Sequence, residues 1–348
     1  MDIQTLKDTA KSMVADGKGL LAIDENTPTS DKRFAASGIP PTAENRRAYR
    51  ELIITTPGLS SFISGLILSD ETIRQQDSDG TPFIKLITAE GIIPGIKVDS
   101  GARPLPGYTG EKITRGLEGL RDRLREYRNM GARFAKWRAV ITIGEGIPSP
   151  PCIDANAHSL SRYAILCQEA GLVPVVEAEV LMNGRHTIGQ CKDTTTAVLH
   201  AVFDQLYTHG VVLEGMILKP NMVVSGLAWP QQATADEVAD ATVECFLRVV
   251  PAAVPGIAFL CGGQPGELAS ARLNAMHVRF AGQLPWSLTF SFARAIQQPA
   301  LKIWHGEQAN VPAAQQALYH RAQCNHAARM GLYTKEMEWA RLATNVFE

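Results

Sequence analysis

MILKPNM, residues 216–222, places a lysine directly after three apolar residues and directly before a proline. Short apolar runs of this kind are typical of strands that are buried inside a sheet. A proline cannot donate to the hydrogen-bond ladder, so it predicts that pairing stops just after Lys219. The lysine is therefore expected at the carboxyl end of a buried strand, where its amine is held rigidly.

Seven more apolar runs accompany this one, and segments with helical periodicity separate them. The eight runs span residues 19–24, 61–69, 95–99, 132–138, 172–179, 214–219, 257–262 and 286–291. Apolar residues recur at intervals of three and four in the segments 113–130, 157–170, 193–209 and 235–250, which predicts helices. Eight strands that alternate with helices predict an α/β fold, the closed (β/α)8 or TIM barrel. No GxGxxG motif opens a helix after the first run, which disfavours a dinucleotide-binding fold.

The length and composition agree with one large domain. The chain has 348 residues, of which 45% are hydrophobic and 20% are charged, and it has no long biased tract. Barrels of this class exceed 200 residues as single domains. We expect a catalytic barrel domain over residues 1–331 and a C-terminal tail over residues 332–348.

Charge and cysteine usage narrow the possible partners and the compartment. The net charge of −1 gives no overall attraction to nucleic acid or to an anionic membrane. Six scattered cysteines without a CxxC pair argue against a disulfide framework and a zinc ribbon. The N-terminus lacks the apolar run of a signal peptide, and no apolar stretch reaches 18 residues. We expect a cytoplasmic protein whose partners are neither nucleic acids nor membranes.

Ionisable side chains stand at the ends of five predicted strands. They are Asp24, Lys97 with Asp99, Lys136 with Arg138, Glu177 with Glu179, and Lys219. Residues two apart on a strand face the same side, so each pair is expected to point together. Buried charge is costly unless it is paired or used, and barrel enzymes keep their chemistry at the carboxyl ends of the strands. The set predicts a functional site at this rim, although any one of these charges could simply face solvent.

Lys219 is the candidate nucleophile of the site. Desolvation and a neighbouring cation such as Lys136 would favour the neutral amine, the form that attacks a carbonyl. The resulting iminium is an electron sink for breaking or making the adjacent carbon–carbon bond, while carboxylates such as Glu177 and Asp24 move protons. A structural salt bridge to a rim carboxylate is the alternative interpretation of this lysine.

Two segments near the end of the barrel indicate an anion site. FLCGGQPGE at 259–267 offers consecutive glycines after a strand, and LTFSFARA at 288–295 offers a serine and an arginine. The region after the seventh and eighth strands is the usual phosphate site of this fold. We predict that Gly262, Gly263, Ser291 and Arg294 form it. The modest excess of cations at the rim suits a ligand with a phosphate at each end, although charge balance alone does not exclude a dicarboxylate.

Metal chemistry is disfavoured by the histidine pattern. The eight histidines show no HxxxH or HExxH spacing and avoid the strand ends. We therefore expect neither a metal nor another cofactor.

Several ordered blocks of sequence resemble the class I fructose-bisphosphate aldolases over nearly the whole chain. The blocks are KGLLAIDENTPTSDKRF at 18–34, ENRRAYRELI at 44–53, GIKVD at 95–99, FAKWR at 134–138, SRYAILCQ at 161–168, VPVVEAEVL at 173–181, LEGMILKPNMV at 213–223, FLCGGQ at 259–264 and PWSLTFSFARAIQ at 285–297. The resemblance implies reversible cleavage of fructose 1,6-bisphosphate to dihydroxyacetone phosphate and glyceraldehyde 3-phosphate, in glycolysis and gluconeogenesis. It also implies a homotetramer that takes sugar phosphates as its small-molecule partners.

The resemblance assigns roles to matching positions. It makes Lys219 the Schiff-base lysine, Glu177 the acid and base of carbinolamine formation and dehydration, and Asp24 the carboxylate that faces the scissile bond. Lys136 and Glu179 would assist them. The ketone-side phosphate would be bound by the Gly262 backbone with Ser291 and Arg294, and the other phosphate by Lys97 and Arg138 with three residues expected on a loop, Thr29, Lys32 and Arg33.

Three departures from the family pattern concern the surroundings of the site. Cys261, which the resemblance places among the substrate-binding residues, stands where animal members usually carry a serine; a thiol is a poor hydrogen-bond donor, so its contact to phosphate is expected to be weaker. Ala293 replaces a usual glycine, so its methyl group could tighten the backbone approach. The chain ends in Asn345–Glu348, without the terminal tyrosine that assists proton exchange in the animal enzymes.

Two other interpretations remain open at the level of sequence. A transaldolase-like Schiff-base enzyme shares the lysine chemistry but needs an acceptor sugar rather than two phosphate sites. A barrel retained as a non-catalytic scaffold would be expected to lose Lys219, Glu177 or Asp24, and all three are present.

Overall fold

Eight parallel strands close into a barrel in the computed structural model, which describes residues 2–339. The closed order is β1-β2-β3-β6-β7-β8-β9-β10, with β10 paired to β1, and the other two strands form an antiparallel hairpin. The strands are β1 (Gly19–Ile23), β2 (Ile63–Leu68), β3 (Ile93–Lys97), β4 (Ala102–Pro104), β5 (Lys112–Thr114), β6 (Phe134–Ile141), β7 (Val173–Val180), β8 (Ile217–Leu218), β9 (Gly256–Phe259) and β10 (Ser287–Phe292). Each of the eight apolar runs overlaps one barrel strand, and the closed barrel confirms the predicted fold.

Twelve α-helices of the described residues surround and close the barrel. They are α1 (Ile3–Met13), α2 (Thr27–Ala36), α3 (Ala43–Ile54), α4 (Asp70–Ile73), α5 (Phe83–Ala89), α6 (Leu120–Met130), α7 (Pro150–Glu169), α8 (Ile188–Thr208), α9 (Ala235–Val249), α10 (Gly266–Arg279), α11 (Arg294–Trp304) and α12 (Val311–Arg329). Short 3-10 helices lie at Leu59–Ser61, Leu213–Gly215, Gln308–Asn310 and Lys335–Glu338.

The periodicity of segment 113–130 predicts one helix, and this prediction is wrong for its first part. Residues Lys112–Thr114 form β5 of the hairpin, and α6 begins only at Leu120. Gly116 and Gly119 have φ of +126° and +64°, which a right-handed helix does not allow. The two glycines therefore separate strand from helix. The helix predicted at 235–250 is confirmed as α9, whereas α7 and α8 begin several residues earlier than predicted.

The amino end of the barrel is filled by apolar side chains. Leu6, Ala10 and Met13 of α1 belong to one buried cluster with interior side chains such as Phe134 and Ile217. A methyl group built on Gly95 would lie 2.2 Å from the Phe134 ring, so that ring occupies the space a side chain would need. This end of the barrel is therefore filled. The ionisable residues lie at the opposite ends of the strands.

The outer layer ends in a short segment after α12. Helix α12 packs mainly against α11 and α10, and the segment after it contains the buried side chain of Tyr333. The predicted tail of 332–348 is described only to residue 339, and Asn345–Glu348 lie outside the described residues. The boundary at residue 331 stays a prediction.

Two further observations concern the cysteines and membranes. All six cysteines are buried, and none takes part in a disulfide. Within residues 2–339, the helices are too short or too polar to cross a membrane.

Candidate active site

The backbone register brings the predicted rim residues to one end of the barrel. Lys97 of β3 lies beside Lys136 of β6, and Arg138 lies beside Glu177 of β7. The N–H of Lys219 donates to the Val176 carbonyl at 2.8 Å, which places this lysine next to Glu177 at the end of β8. Parallel pairing thus aligns side chains from separate segments of the sequence.

Four of these residues form a continuous buried chain of opposite charges. Lys136 Nζ lies 2.8 Å from Asp24 Oδ2 and 3.0 Å from Glu177 Oε2. The other oxygen of Glu177 lies 3.2 Å from Lys219 Nζ. No member of the chain is more than 8% exposed. Each charge therefore has a partner of opposite sign, which makes burial of the whole set tolerable.

The arrangement fixes the protonation of three groups at neutral pH. Burial alone would raise the pKa of Asp24, but Lys136 and Lys219 outweigh it and lower this pKa to about 2. Burial opposes the charged form of Glu177 as well, and the same two lysines bring its pKa below the usual value. The pKa of Lys136 is raised, because Asp24 and Glu177 outweigh its desolvation. Two carboxylates are thus held ionised around a cation.

Glu177 is placed to exchange a proton. Its Oε2 is fully buried and receives no hydrogen bond of good geometry from the described residues, although Lys136 Nζ lies within ion-pair distance. A buried carboxylate oxygen with unused acceptor capacity is costly in the free protein. The same oxygen can accept a proton from a substrate or an intermediate.

A second layer of charge lies just outside the chain. Arg138 Nε lies 2.5 Å from Glu179 Oε2, and Lys97 Nζ lies 2.7 Å from Asp99 Oδ1. The carboxylate of Asp99 also accepts from the N–H of Arg138 and of Gly101. Asp99 therefore fixes both Lys97 and the backbone of Arg138, a role that the sequence did not assign to it.

The predicted phosphate residues present hydrogen-bond donors that lack partners within the described residues. Ser291 Oγ is buried and has no hydrogen-bond partner among the described residues. The side chain of Arg294 is exposed and has no carboxylate within ion-pair distance in the range 2–339. It is also the first residue of α11, whose N-cap Ala293 makes no side-chain cap. Uncapped helix N–H groups, a free hydroxyl and a guanidinium are the donors that a phosphate requires.

The loop after β9 lies beside these donors. Gly262 and Gly263 have φ of +58° and +103°, a region that favours glycine. A methyl group on Gly263 would lie 3.2 Å from Arg294 Nη2, so the loop approaches the guanidinium closely. Cys261 is buried at the start of this loop. Ala293 has a φ of −111°, so it does not adopt the left-handed conformation that favours glycine.

The three residues expected on a loop lie on a helix instead. Thr29, Lys32 and Arg33 belong to α2, which begins at Thr27 because the Asn26 side chain accepts the N–H of Thr29. Thr29 and Lys32 are exposed. Arg33 is paired with Glu25, so the structure gives it an internal partner.

Sequence reasoning did not identify the polar network beneath this helix. Glu25 Oε2 accepts from Arg50 at 2.9 Å, and Glu25 Oε1 accepts from Gln297 Nε2 at 3.0 Å. Gln297 also donates to the Ala22 carbonyl. The position of Glu25 next to Asp24 was the signal available, and the network ties the end of β1 to α11.

Comparisons with known proteins point in one direction. A sequence model of the family described as "Fructose-bisphosphate aldolase class-I" matches residues 5–348. The chain is 58% identical to the probable fructose-bisphosphate aldolase class 1 of Xanthomonas axonopodis pv. citri, over 95% of this chain and 99% of that protein. It is 49% identical to the fructose-bisphosphate aldolase of Dictyostelium discoideum, over 94% and 92% of the two chains.

A solved structure is similar throughout. The fructose-bisphosphate aldolase of Plasmodium falciparum, determined in a ternary complex with TRAP and a small-molecule inhibitor, superposes with a TM-score of 0.93 at 45% identity. The match covers 95% of each chain.

Proposed function

The chain belongs to the class I fructose-bisphosphate aldolase family, and from this premise we propose that Lys219 forms the covalent imine with the substrate. The protein is a carbon–carbon lyase that cleaves fructose 1,6-bisphosphate to dihydroxyacetone phosphate and glyceraldehyde 3-phosphate. One observation carries the assignment of the lysine: its buried amine lies 3.2 Å from Glu177, inside a chain of paired charges.

Imine formation uses Lys219 and Glu177. Glu177 accepts a proton from Lys219, and the neutral amine then attacks the C2 carbonyl of the ketose. A proton passes from the new ammonium nitrogen to the alkoxide oxygen, which gives the neutral carbinolamine. The carbinolamine hydroxyl leaves as water when Glu177 returns a proton to it. The nitrogen lone pair closes the C=N bond, and the product is an iminium on Lys219.

Bond cleavage uses Asp24, which is ionised because the two lysines lower its pKa. Asp24 accepts the proton of the C4 hydroxyl, the C3–C4 bond breaks, and its electron pair moves into the iminium to give an enamine. Glyceraldehyde 3-phosphate leaves as the aldehyde. Protonation at C3 and addition of water then release dihydroxyacetone phosphate and restore the amine. Lys136, whose pKa is raised, stays cationic and holds both carboxylates in place.

We propose that the ketone-side phosphate binds to Ser291 Oγ, the N–H of Gly262 and Arg294. The unpartnered hydroxyl, the glycine turn and the uncapped start of α11 support this position. Lys97 and Arg138, on the opposite side of the charged chain, are proposed for the other phosphate. Glu179 and Asp99 hold these two cations, while Thr29, Lys32 and Arg33 are proposed to contact the ligand at its entrance.

The cellular setting is proposed from the family. We place the enzyme in the cytoplasm, in glycolysis and gluconeogenesis, as a homotetramer. Light scattering on the purified protein at several concentrations tests the quaternary structure, and a monomeric mass throughout would contradict it.

Borohydride trapping tests the nucleophile. The protein is incubated with dihydroxyacetone phosphate and EDTA, reduced, digested and mapped by mass spectrometry. A phosphate-bearing adduct on the Lys219 peptide is expected. Lys219→Met is expected to lose both adduct and cleavage, whereas Lys192→Met, which removes an outer lysine paired with Glu244, keeps both.

Two outcomes would overturn the assignment. An adduct on another lysine, or turnover retained by Lys219→Met, would identify a different nucleophile. Cleavage of the bisphosphate that requires an added acceptor sugar would favour the transaldolase-like interpretation.

A further inference from the structure

A group of potential metal ligands lies between α12 and the segment that follows it. One ligand atom each from His320, Cys324 and Glu338 lies within 4.8 Å of the other two. Cys324 is fully buried, and the Glu338 side chain is 6% exposed. The group shares no residue with the charged chain around Lys219.

The spacing of the first two ligands follows from the helix. His320 and Cys324 are four residues apart on α12, so their side chains lie one turn apart on the same face. His320 Nε2 and Cys324 Sγ are 3.7 Å apart. Zinc bonds of the usual lengths at a tetrahedral angle place nitrogen and sulfur about 3.6 Å apart. The pair is therefore already close to the separation that a metal requires.

The third ligand is positioned from outside the helix. Arg321 is ion-paired with Glu338, and Tyr333 donates to Glu338 Oε1 at 2.7 Å. Arg321 is held in turn by its bond to Ser270 Oγ at 2.8 Å. Arg321 Nη1 contacts both oxygens and Tyr333 contacts one, so three of the roughly four lone-pair sites of the carboxylate are used and one is left for a metal. Hydrogen bonds to a ligating carboxylate are the usual way in which proteins orient it.

Two members of the group border a cavity, whereas Cys324 is buried and is not part of its wall. His320 and Glu338 line a cavity of about 1040 Å³ whose wall also includes Lys302, Gln316 and Arg294. An ion can enter through this space, and water or an anion can occupy a further coordination position. Zinc binds the thiolate form of cysteine, so a metal that binds there displaces the thiol proton of Cys324.

We propose that His320, Cys324 and Glu338 form a binding site for Zn²⁺. Imidazole, thiolate and carboxylate together suit zinc rather than magnesium or calcium, which prefer oxygen ligands alone. The bound ion joins residue 338 to α12 and fixes that segment at the wall of the cavity. With Arg321 cationic and two ligands anionic, the site keeps one positive charge, which favours hydroxide or another anion as the remaining ligand.

Cobalt and zinc titrations of the full chain test the proposal. Co²⁺ is expected to give a thiolate-to-metal charge-transfer band that saturates near one equivalent, and Zn²⁺ is expected to abolish it. Cys324→Ser keeps the size of the side chain, and Glu338→Gln keeps its shape. Both are expected to weaken Zn²⁺ binding at least tenfold in competition with a chromophoric chelator, because each removes one metal bond. Thermal melts in EDTA establish that the variants are folded.

His158→Ala is the matched control. His158 and His209 pack with ring centroids 5.1 Å apart, and neither belongs to the proposed ligand set. This variant is expected to bind Zn²⁺ as the parent does. Absence of the charge-transfer band, or equal zinc affinity in Cys324→Ser, would overturn the site.

The active site provides an independent measurement. Because the zinc ligands are separate from Lys219, EDTA is expected to remove zinc without preventing the borohydride adduct. A failure of the zinc site is therefore distinguishable from a failure of the proposed nucleophile.

Discussion

Two buried serines differ in whether their hydroxyl groups have hydrogen-bond partners in the free protein. Ser291 Oγ has no partner among the described residues, whereas Ser64 Oγ donates to the Met13 carbonyl at 2.5 Å. An unsatisfied buried hydroxyl destabilises the free protein, and a ligand that satisfies it recovers that free energy. We expect this contrast to separate a serine that binds a ligand from one that stabilises the fold.

Substitution of these serines tests the distinction. Ser291→Ala is expected to raise KM for fructose 1,6-bisphosphate about tenfold through loss of a charge-assisted hydrogen bond, without lowering the free energy of unfolding. Ser64→Ala is expected to lose about 1 kcal/mol of stability with KM unchanged. Steady-state kinetics and urea denaturation measure both. An unchanged KM in Ser291→Ala would remove this serine from the phosphate site.

The ionised carboxylate of Asp24 contributes to the stability of the folded protein, and this contribution depends on pH. Its pKa is about 2 in the folded protein and near 3.8 in the unfolded chain. The stability that it contributes is therefore present above pH 3.8 and is lost as the pH falls toward 2. Asp24→Asn is expected to lose on the order of 2 kcal/mol at neutral pH, with the gap from the parent narrowing below pH 4.

Urea denaturation across this pH range measures the effect. Asp79→Asn, a change at an exposed turn, serves as the control and is expected to follow the parent at every pH. A constant gap between Asp24→Asn and the parent would show that the carboxylate charge is not responsible.

At the residue scale, the sequence predicted which residues lie at the rim of the barrel better than it predicted which of them contact each other. Alternation along strands and the resemblance to a family placed Lys219, Glu177, Asp24 and Lys136 at one rim, and the structure brings them together. The sequence could not show that Asp99 accepts hydrogen bonds from both the Lys97 side chain and the Arg138 backbone. These contacts depend on the path of the loop after β3. Neutral amine chemistry at Lys219 stays a prediction.

At the scale of elements, the loop between β9 and α10 lies against Arg294 of the proposed phosphate site. Gly263 combines a φ of +103° with close approach to Arg294, whereas Gly282 has a φ of +69° and open space within 4 Å of the position that a methyl group would take. Alanine at either position is expected to lower the free energy of unfolding by about 1 to 2 kcal/mol, because a residue with a Cβ is strained at positive φ. Only Gly263→Ala is expected to raise KM, severalfold, because only its methyl group displaces Arg294.

Kinetics and thermal melts on the two alanine variants separate strain from site geometry. If Gly282→Ala raised KM to the same extent, general destabilisation would explain the result. If neither variant raised KM, displacement of Arg294 by the Gly263→Ala methyl group would have no effect on substrate binding.

Elements were predictable where apolar periodicity dominates and less so where side-chain caps set the boundaries. All eight barrel strands were predicted, because each is a buried apolar run. The start of α2 depends on an Asn26 side-chain hydrogen bond, and that of α8 on a capping box between Thr187 and Gln190. The β4–β5 hairpin was missed, because its three-residue strands are too short to show a period.

At the scale of the whole molecule, packing at the amino end of the barrel sustains the geometry of the rim. Gly95→Ala would place a methyl group 2.2 Å from the Phe134 ring, and overpacking of this kind is expected to cost about 1 to 3 kcal/mol. Phe134→Leu in the same chain is expected to recover part of the loss. Urea denaturation of the four chains of this double-mutant cycle gives the coupling energy, and strict additivity would contradict the contact.

Closure of the barrel also bears on how the chain is made. β1 pairs with β10, with Leu20 opposite Ser291. The first strand to leave the ribosome therefore cannot complete its pairing until the last strand has been synthesised. Until β10 is synthesised, β1 presents an unpaired edge of N–H and C=O groups beside apolar side chains, a template for association with other chains. The growing polypeptide is therefore most vulnerable to aggregation during translation, and a chain that stops short of Ser287 would keep that edge open permanently.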